Sequence, residues 1–242
     1  MIPPAAFIRA ENVSVRYDGR DKAAALRGLS FSVAEGERIA LVGANGAGKS
    51  TLLLALVGVL PLAAGTLSVC GIELDGTNKE NLRELRRRAA LVFQNPDDQV
   101  FMPTVEEDIA FGPRNYGASE EHIAAVTEKV LAELGIGHLR GRLSHRLSGG
   151  EKRLAALAGI LVMEPSLLLL DEPSSFLDPR SRRRLIDILG RLTHTMLLAT
   201  HDLDLARALC RRVILLKDGS VFADGMAAEV LDNEALLETC GL

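Results

Sequence analysis

The run Gly43-Ala44-Asn45-Gly46-Ala47-Gly48-Lys49-Ser50-Thr51 puts glycines, a lysine and two hydroxyls into one short stretch. Glycines let the main chain curl until successive N–H groups point inward at a polyphosphate. The Lys49 ammonium sets a full charge against β and γ phosphates, and the Ser50 hydroxyl is a ligand suited to Mg²⁺. A helix starting near Lys49 adds its positive end. An apolar strand precedes the run and an apolar helix follows it, which is the context a phosphate-binding P-loop requires.

A second group of chemical residues closes another apolar run, Leu167-Leu168-Leu169-Leu170-Asp171-Glu172. Two carboxylates at the end of a buried strand are costly unless they serve a cation or a proton. In P-loop enzymes the first holds Mg²⁺ through its water shell, which assigns that role to Asp171. Glu172 is then placed to polarise the water that attacks the γ-phosphate, a contribution of about 10²–10⁴-fold in rate. A third candidate is Leu147-Ser148-Gly149-Gly150-Glu151, which opens a helix predicted to run to about Met163. Ser148 and Glu151 form a capping box on their own account. Capping does not need two adjacent glycines, which weaken a first turn. Gly149 and Gly150 make sense if something must approach the backbone closely, and a bare helix N-terminus is an anion site.

The elements that must position these groups follow from hydrophobic patterning. Phe7 to Tyr17, Leu29 to Val33 and Thr66 to Cys70 alternate apolar and polar residues, which predicts a small antiparallel sheet. Arg38–Val42, Ala89–Phe93, Leu167–Leu170, Met196–Ala199 and Val213–Leu216 are unbroken apolar runs separated by helical patterns. Such runs predict a mostly parallel sheet covered on both faces. Between Thr104 and Met163 no strand pattern is evident, and Glu120 to Leu134 sets Ile123, Val126, Val130, Leu131 and Leu134 on one helical face, with Gly135 behind it as a C-cap. The expected fold is α/β: a P-loop NTPase (RecA-like) core, an N-terminal antiparallel subdomain and an inserted helical subdomain. As one domain over 1–242, the core is expected at about 1–94 and 164–242 and the helical part at 95–163.

Ser148-Gly149-Gly150-Glu151-Lys152, a short way before Asp171-Glu172, resembles the signature motif of ABC ATPases, and the resemblance covers essentially the whole chain. It implies a head-to-tail dimer in which each ATP lies between one subunit's P-loop and the other's signature helix. It further implies that Gln94 is the Q-loop glutamine, touching Mg²⁺ and sensing a membrane subunit. Ser175-Phe176-Leu177-Asp178 matches the D-loop, with Phe176 bulkier than the small residue that pattern leads one to expect. His201, in Thr200-His201-Asp202, matches the switch histidine that contacts the γ-phosphate. Tyr17 matches the aromatic that stacks on adenine, although an ordinary core aromatic is the competing reading. Lys49, Ser148, Glu172 and His201 are all present, so one chain could furnish both ATP sites of a homodimer.

Gln94-Asn95-Pro96-Asp97-Asp98-Gln99-Val100-Phe101, Pro103-Thr104-Val105 and Phe111-Gly112-Pro113-Arg114-Asn115 resemble the energy-coupling-factor (ECF) importers, most of all the cobalt- and nickel-importing subgroup of CbiO type. The resemblance implies a transmembrane scaffold subunit that docks on this segment, a substrate-binding membrane subunit, and a peripheral place at the cytoplasmic face of the membrane. An ECF vitamin importer and a non-transport ABC ATPase stay open as alternatives. For the latter, neither sustained heptads nor cysteine pairs interrupt the helical block.

Bulk properties narrow the classes. Apolar residues make up 48% of the 242 and the net charge is -4, which suits a globule with a sizeable core and does not suggest nucleic-acid binding. The triplets Arg86-Arg87-Arg88 and Arg182-Arg183-Arg184 read as solvated helix faces. Cys70, Cys210 and Cys240 stand far apart, which argues for a reducing compartment and against a disulfide framework or a structural zinc. The stretch Met1-Ile2-Pro3-Pro4 lacks a signal-peptide pattern. The most apolar stretch, Leu52 to Ala64, falls short of the about 20 residues a spanning helix needs. No clustered ligand spacing among the histidines and cysteines suggests a transition-metal site, so partners are expected to handle any cobalt.

Overall fold

The continuous apolar runs all become strands of one sheet. The computed structural model describes residues 6–17, 24–74 and 78–242; the N-terminal stretch Met1 to Pro4 lies outside them. By internal packing the chain divides into two compact units, one of 1–91, 166–172 and 193–242, the other of 92–165 and 173–192. The helical unit thus takes in 173–192 as well as the stretch between Gln94 and Met163.

In the first unit, β1 (Ile8–Val15), β2 (Leu26–Val33), β4 (Ala64–Val69) and the two-residue β5 (Ile72–Glu73) form an antiparallel sheet in the order β2-β1-β4-β5. A six-stranded sheet runs β10-β9-β3-β8-β7-β6, from β3 (Arg38–Val42), β6 (Ala89–Val92), β7 (Leu167–Asp171), β8 (Thr195–Thr200), β9 (Arg212–Lys217) and β10 (Ser220–Met226). Neighbours among β9, β3, β8 and β7 pair in parallel, and β10 closes one edge antiparallel to β9. Patterning gave no sign of β10. Asp224 and Gly225 interrupt its apolar residues, and Phe222, Asp224 and Met226 are exposed, as an edge strand allows.

Both faces of the parallel strands are buried, which is why they read as unbroken apolar runs. One face, with Ile39, Leu41, Leu167, Leu169, Leu197, Ala199, Ile214 and Leu216, shares a core with the antiparallel sheet and with α1 (Lys49–Leu56). Truncating one such leucine to alanine costs about 2–5 kcal/mol. Arg212 pins this unit's edge: its guanidinium donates to Asp224 of β10 at 2.6 Å, to Glu37 before β3 at 3.1 Å and to the Ser32 carbonyl at 3.0 Å. The remaining helices here are α2 (Lys79–Arg88), α7 (Leu203–Leu209), α8 (Ala227–Leu231) and α9 (Glu234–Thr239).

The second unit holds α3 (Val105–Asn115), α4 (Glu120–Glu133), α5 (Gly149–Leu161) and α6 (Pro179–Arg191). Each starts on a side-chain cap, from Thr104, Ser119, Ser148 and Asp178. Ile123, Val126, Val130, Leu131 and Leu134 are buried as the helical face predicts, and Gly135 follows in the left-handed region. Among the described residues no helix is long and apolar enough to cross a membrane.

Candidate nucleotide site and signature helix

Three neighbouring strands deliver the first group of functional residues. The P-loop leaves the carboxyl end of β3, Asp171 and Glu172 end β7, and Thr200 and His201 end β8, which pairs with both. Carboxyl ends of parallel strands are where ligands bind in open α/β sheets. Gly46 and Gly48 have φ of 83° and 102°, a conformation only glycine adopts at no steric cost. A side chain at Gly43 would come within 2.5 Å of the Leu216 carbonyl of β9, so the strand packing itself requires that glycine. Asn45 and Gly46 at the loop's crest are exposed, whereas Ala47 and Lys49 are buried.

Lys49 is 6% exposed and spans its own loop, donating to the carbonyls of Gly43 at 2.5 Å and Ala44 at 3.2 Å. Burial lowers its pKa, while the charges of Glu172 and Asp171 oppose that shift. Its ammonium lies 3.7 Å from Glu172 Oε1. The same oxygen accepts from the His201 backbone N–H at 3.0 Å and meets His201 Nδ1 at 2.9 Å. The other oxygen, Oε2, accepts from the Thr200 hydroxyl at 3.1 Å. Glu172 takes a left-handed φ of 43°, held by its N–H on the Ala199 carbonyl at 2.9 Å. Strain of this kind, about 1–3 kcal/mol, persists where the surroundings over-determine it.

Tyr17 lies just past β1 with half its surface exposed, and its hydroxyl bonds to Thr51 Oγ1 at 3.0 Å. The ring is therefore tethered to the first turn of α1, beside Ser50, instead of sinking into the core. Ser50 is exposed and Asp171 is 8% exposed at the end of an apolar strand. A hydroxyl and a carboxylate are hard oxygen donors of the kind Mg²⁺ takes, so this donor set fits that ion.

The second unit carries the remaining candidates. Ser148 caps α5 through a full capping box: its hydroxyl accepts from the Glu151 N–H at 3.4 Å and donates to Glu151 Oε2, and its own N–H donates to that oxygen, both at 2.8 Å. Glu151 also pairs with Arg142 at 2.7 Å. The bonds from Ser148 are the main cause of its lowered pKa. Its carboxylate is thus committed to the helix end. The two glycines prove unlike. A Cβ on Gly150 would sit 2.7 Å from the Ser181 hydroxyl of α6, an internal reason for glycine. A Cβ on Gly149 would meet nothing within 4 Å among the described residues, so their packing does not explain it.

Gln94 is exposed and its carbonyl accepts from Arg153 at 2.5 Å, with Phe93's carbonyl taking the same guanidinium at 2.6 Å. Arg153 is only 2% exposed, on the third residue after the glycine pair, and sequence reading passed it over. Its signal was a charge among the apolar positions of α5. Lys152 pairs with Asp97. Phe101 is 62% exposed and stacks edge-on against Phe111, with ring centres 4.8 Å apart. Phe176, 92% exposed, has a left-handed φ of 63°.

A family model described as ABC transporter matches residues 26–175, more than half of the 242-residue chain. A Streptomyces coelicolor protein assigned to the ABC transporter ATP-binding proteins is 49% identical over 213 residues, 88% of this chain and 81% of its own length. One from Gloeobacter violaceus with the same assignment is 49% identical over 230 residues, 94% of this chain and 93% of its own. Among solved structures, cbiO1 from Clostridium perfringens, part of the ABC transporter complex cbiONQ, has a TM-score of 0.85 at 33% identity, covering 97% of this chain and 94% of that one. The dimeric post-hydrolysis state of the ATP-binding cassette MJ0796, bound to ADP and Pi, has a TM-score of 0.81 at 25% identity, covering 91% and 98%.

Proposed function

This chain belongs to the ABC transporter family as an ATP-hydrolysing cassette, and from that premise we propose that it powers an ECF-type importer of a transition-metal ion, cobalt first and nickel next. In this reading two copies assemble head to tail at the cytoplasmic face of the membrane, beneath a transmembrane scaffold and a substrate-binding subunit. Each ATP is held by one copy's P-loop and the other copy's signature helix.

Lys49 and the loop's N–H groups bind the β and γ phosphates, and Tyr17 lies against adenine. Asn45, Gly46, Ala47, Gly48, Ser50 and Thr51 complete the cradle. Ser50, Asp171 and Gln94 would hold Mg²⁺, which when bound neutralises phosphate charge. Glu172 takes a proton from the attacking water as the water oxygen bonds to the γ-phosphorus and the bond to the β–γ bridging oxygen breaks. His201 contacts the γ-phosphate through its ring. The partner copy presents Ser148, Gly149, Gly150 and the Glu151 clamp that holds that helix end in shape.

The observation that carries hydrolysis is the convergence of Lys49, Thr200 and His201 on the one Glu172 carboxylate. Support for metal import is the resemblance of 94–105 and 111–115 to the cobalt and nickel group, together with the likeness to cbiO1. The exposed Phe101–Phe111 pair in that segment offers apolar surface for a membrane partner. The test is ATP-dependent cobalt uptake by the full membrane complex, with Glu172→Gln as control and nickel as competitor. Uptake abolished by the variant and reduced by nickel is expected. Intact ATPase activity without cobalt or nickel uptake would overturn the metal assignment and favour a vitamin importer.

A further inference from the structure

The Glu172 carboxylate is held differently on its two oxygens. Oε1 meets the His201 ring, whose side chain is 56% exposed, and lies 3.7 Å from the Lys49 ammonium, besides accepting the His201 backbone N–H. Oε2 has the Thr200 hydroxyl, on a residue with no exposed surface. That hydroxyl accepts the Asp202 N–H at 3.0 Å, so its single proton is directed onto Oε2. Asp202 in turn caps α7, its side chain accepting the Leu205 N–H at 3.0 Å, so the donor behind Thr200 is fixed as well.

The last torsion of a glutamate is soft and two-fold, so one bond does not fix the carboxylate plane. With only the His201 N–H on Oε1, the group could pivot about that contact. A second bond on Oε2, from a buried side chain, removes the pivot. We infer that Thr200 is a positioning residue for hydrolysis: its hydroxyl locks the Glu172 carboxylate so that Oε1 alone is presented to the attacking water. The inference rests on the reading of Glu172 as the base. Thr200 belongs to an otherwise apolar run, Met196-Leu197-Leu198-Ala199, and a buried hydroxyl there is costly unless it is bonded.

Thr200→Val keeps the shape and deletes the donor, Thr200→Ala deletes both, and Thr200→Ser keeps the hydroxyl. In the full chain, Thr200→Val and Thr200→Ala are expected to lower kcat for ATP by about 10- to 100-fold, the scale of a misplacement of about 1 Å. The KM for ATP, and the affinity for a fluorescent ATP analogue measured without hydrolysis, should stay within about twofold, a split that purely structural damage does not produce. Thr200→Ser should return kcat to within about threefold of the parent. In the Glu172→Gln background Thr200→Val should add nothing, since the two act as a unit. If Glu172→Gln stalls hydrolysis while Thr200→Val and Thr200→Ala turn over at the parent rate, the positioning role is wrong and the base stands. If Glu172→Gln turns over normally, the base itself is misassigned. Loss of analogue binding in Thr200→Val and Thr200→Ala, with Thr200→Ser no better, would also overturn the inference by making Thr200 a packing residue.

Discussion

The carboxyl ends of β3, β7 and β8 and the N-terminal end of α5 handle their polar groups by different rules. At the strand ends Lys49 and Glu172 are buried and held by the fold, Lys49 by its own loop and Glu172 by Thr200 and His201. At the α5 end, Ser148 and Glu151 satisfy each other locally, while the exposed Gly149 answers to no neighbour among the described residues. Phe176, ahead of α6, also stands in solvent in a backbone conformation that disfavours it. The first region is pre-organised by the fold of one chain. The second leaves an exposed helix end, which in the proposed dimer faces the other copy's nucleotide.

Glu172→Gln should break the first region alone and give the largest effect. Hydrolysis is expected to fall by about 10²–10⁴-fold while ATP affinity holds, because the loop and Lys49 remain. The ATP-bound closed dimer should then accumulate, as light scattering with phosphate release would show. Turnover at the parent rate would remove Glu172 from the chemistry.

Ser148→Arg attacks the second region alone. It fills the exposed helix end with a long cation and dismantles the capping box, which costs the helix about 1 kcal/mol. ATP binding to the monomer should be unchanged and ATP-driven dimerisation lost. An undiminished dimer in light scattering would sink the cross-chain role of α5.

How far these two regions could be read beforehand differs for the same reason. The strand runs were legible because burial on both faces leaves nothing but apolar residues, as in Leu167–Leu170. The loop and the Asp171-Glu172 pair were legible because their chemistry demands fixed residue types at fixed places. Side chains that act through others were not. Thr200 shows in the sequence only as a flank of His201, and Arg153 only as a charge among the apolar positions of α5, with no hint that its guanidinium donates to the Phe93 and Gln94 carbonyls. Nor could sequence separate Gly150, which Ser181 requires, from Gly149, which no neighbour requires. That distinction needs the position of α6, and β10 escaped because Asp224 and Gly225 interrupt its apolar residues.

The glycine pair gives a sharper, smaller contrast. Gly150→Ala forces its methyl against Ser181, whose hydroxyl is itself bonded to Asp178 at 2.5 Å, and should destabilise the chain by about 1–3 kcal/mol. Gly149→Ala has open space and should gain up to about 1 kcal/mol of helix propensity while weakening ATP-driven dimerisation. Chemical denaturation of each variant beside its dimerisation would read both signs. Equal stability changes in the two would erase the difference between internal and external demand.

Phe176→Asn carries the smallest expected effect and tests whether strain and exposure at one residue serve the same end. Asparagine tolerates the left-handed region that Phe176 occupies at φ 63°, where a bulky side chain costs about 1–2 kcal/mol. Phe176 contributes almost no burial in return, being 92% exposed, so the single chain should gain up to about 1 kcal/mol from the change. If the ring instead packs against a second copy, the same variant should weaken the ATP-bound dimer several-fold even as the monomer melts higher. The two measurements must move in opposite directions, because the monomer bears the cost and only the assembly recovers it. A variant whose monomer and dimer stabilities rise together would show that Phe176 serves no assembly, and would confine the externally shaped region to the Ser148–Gly149 end of α5.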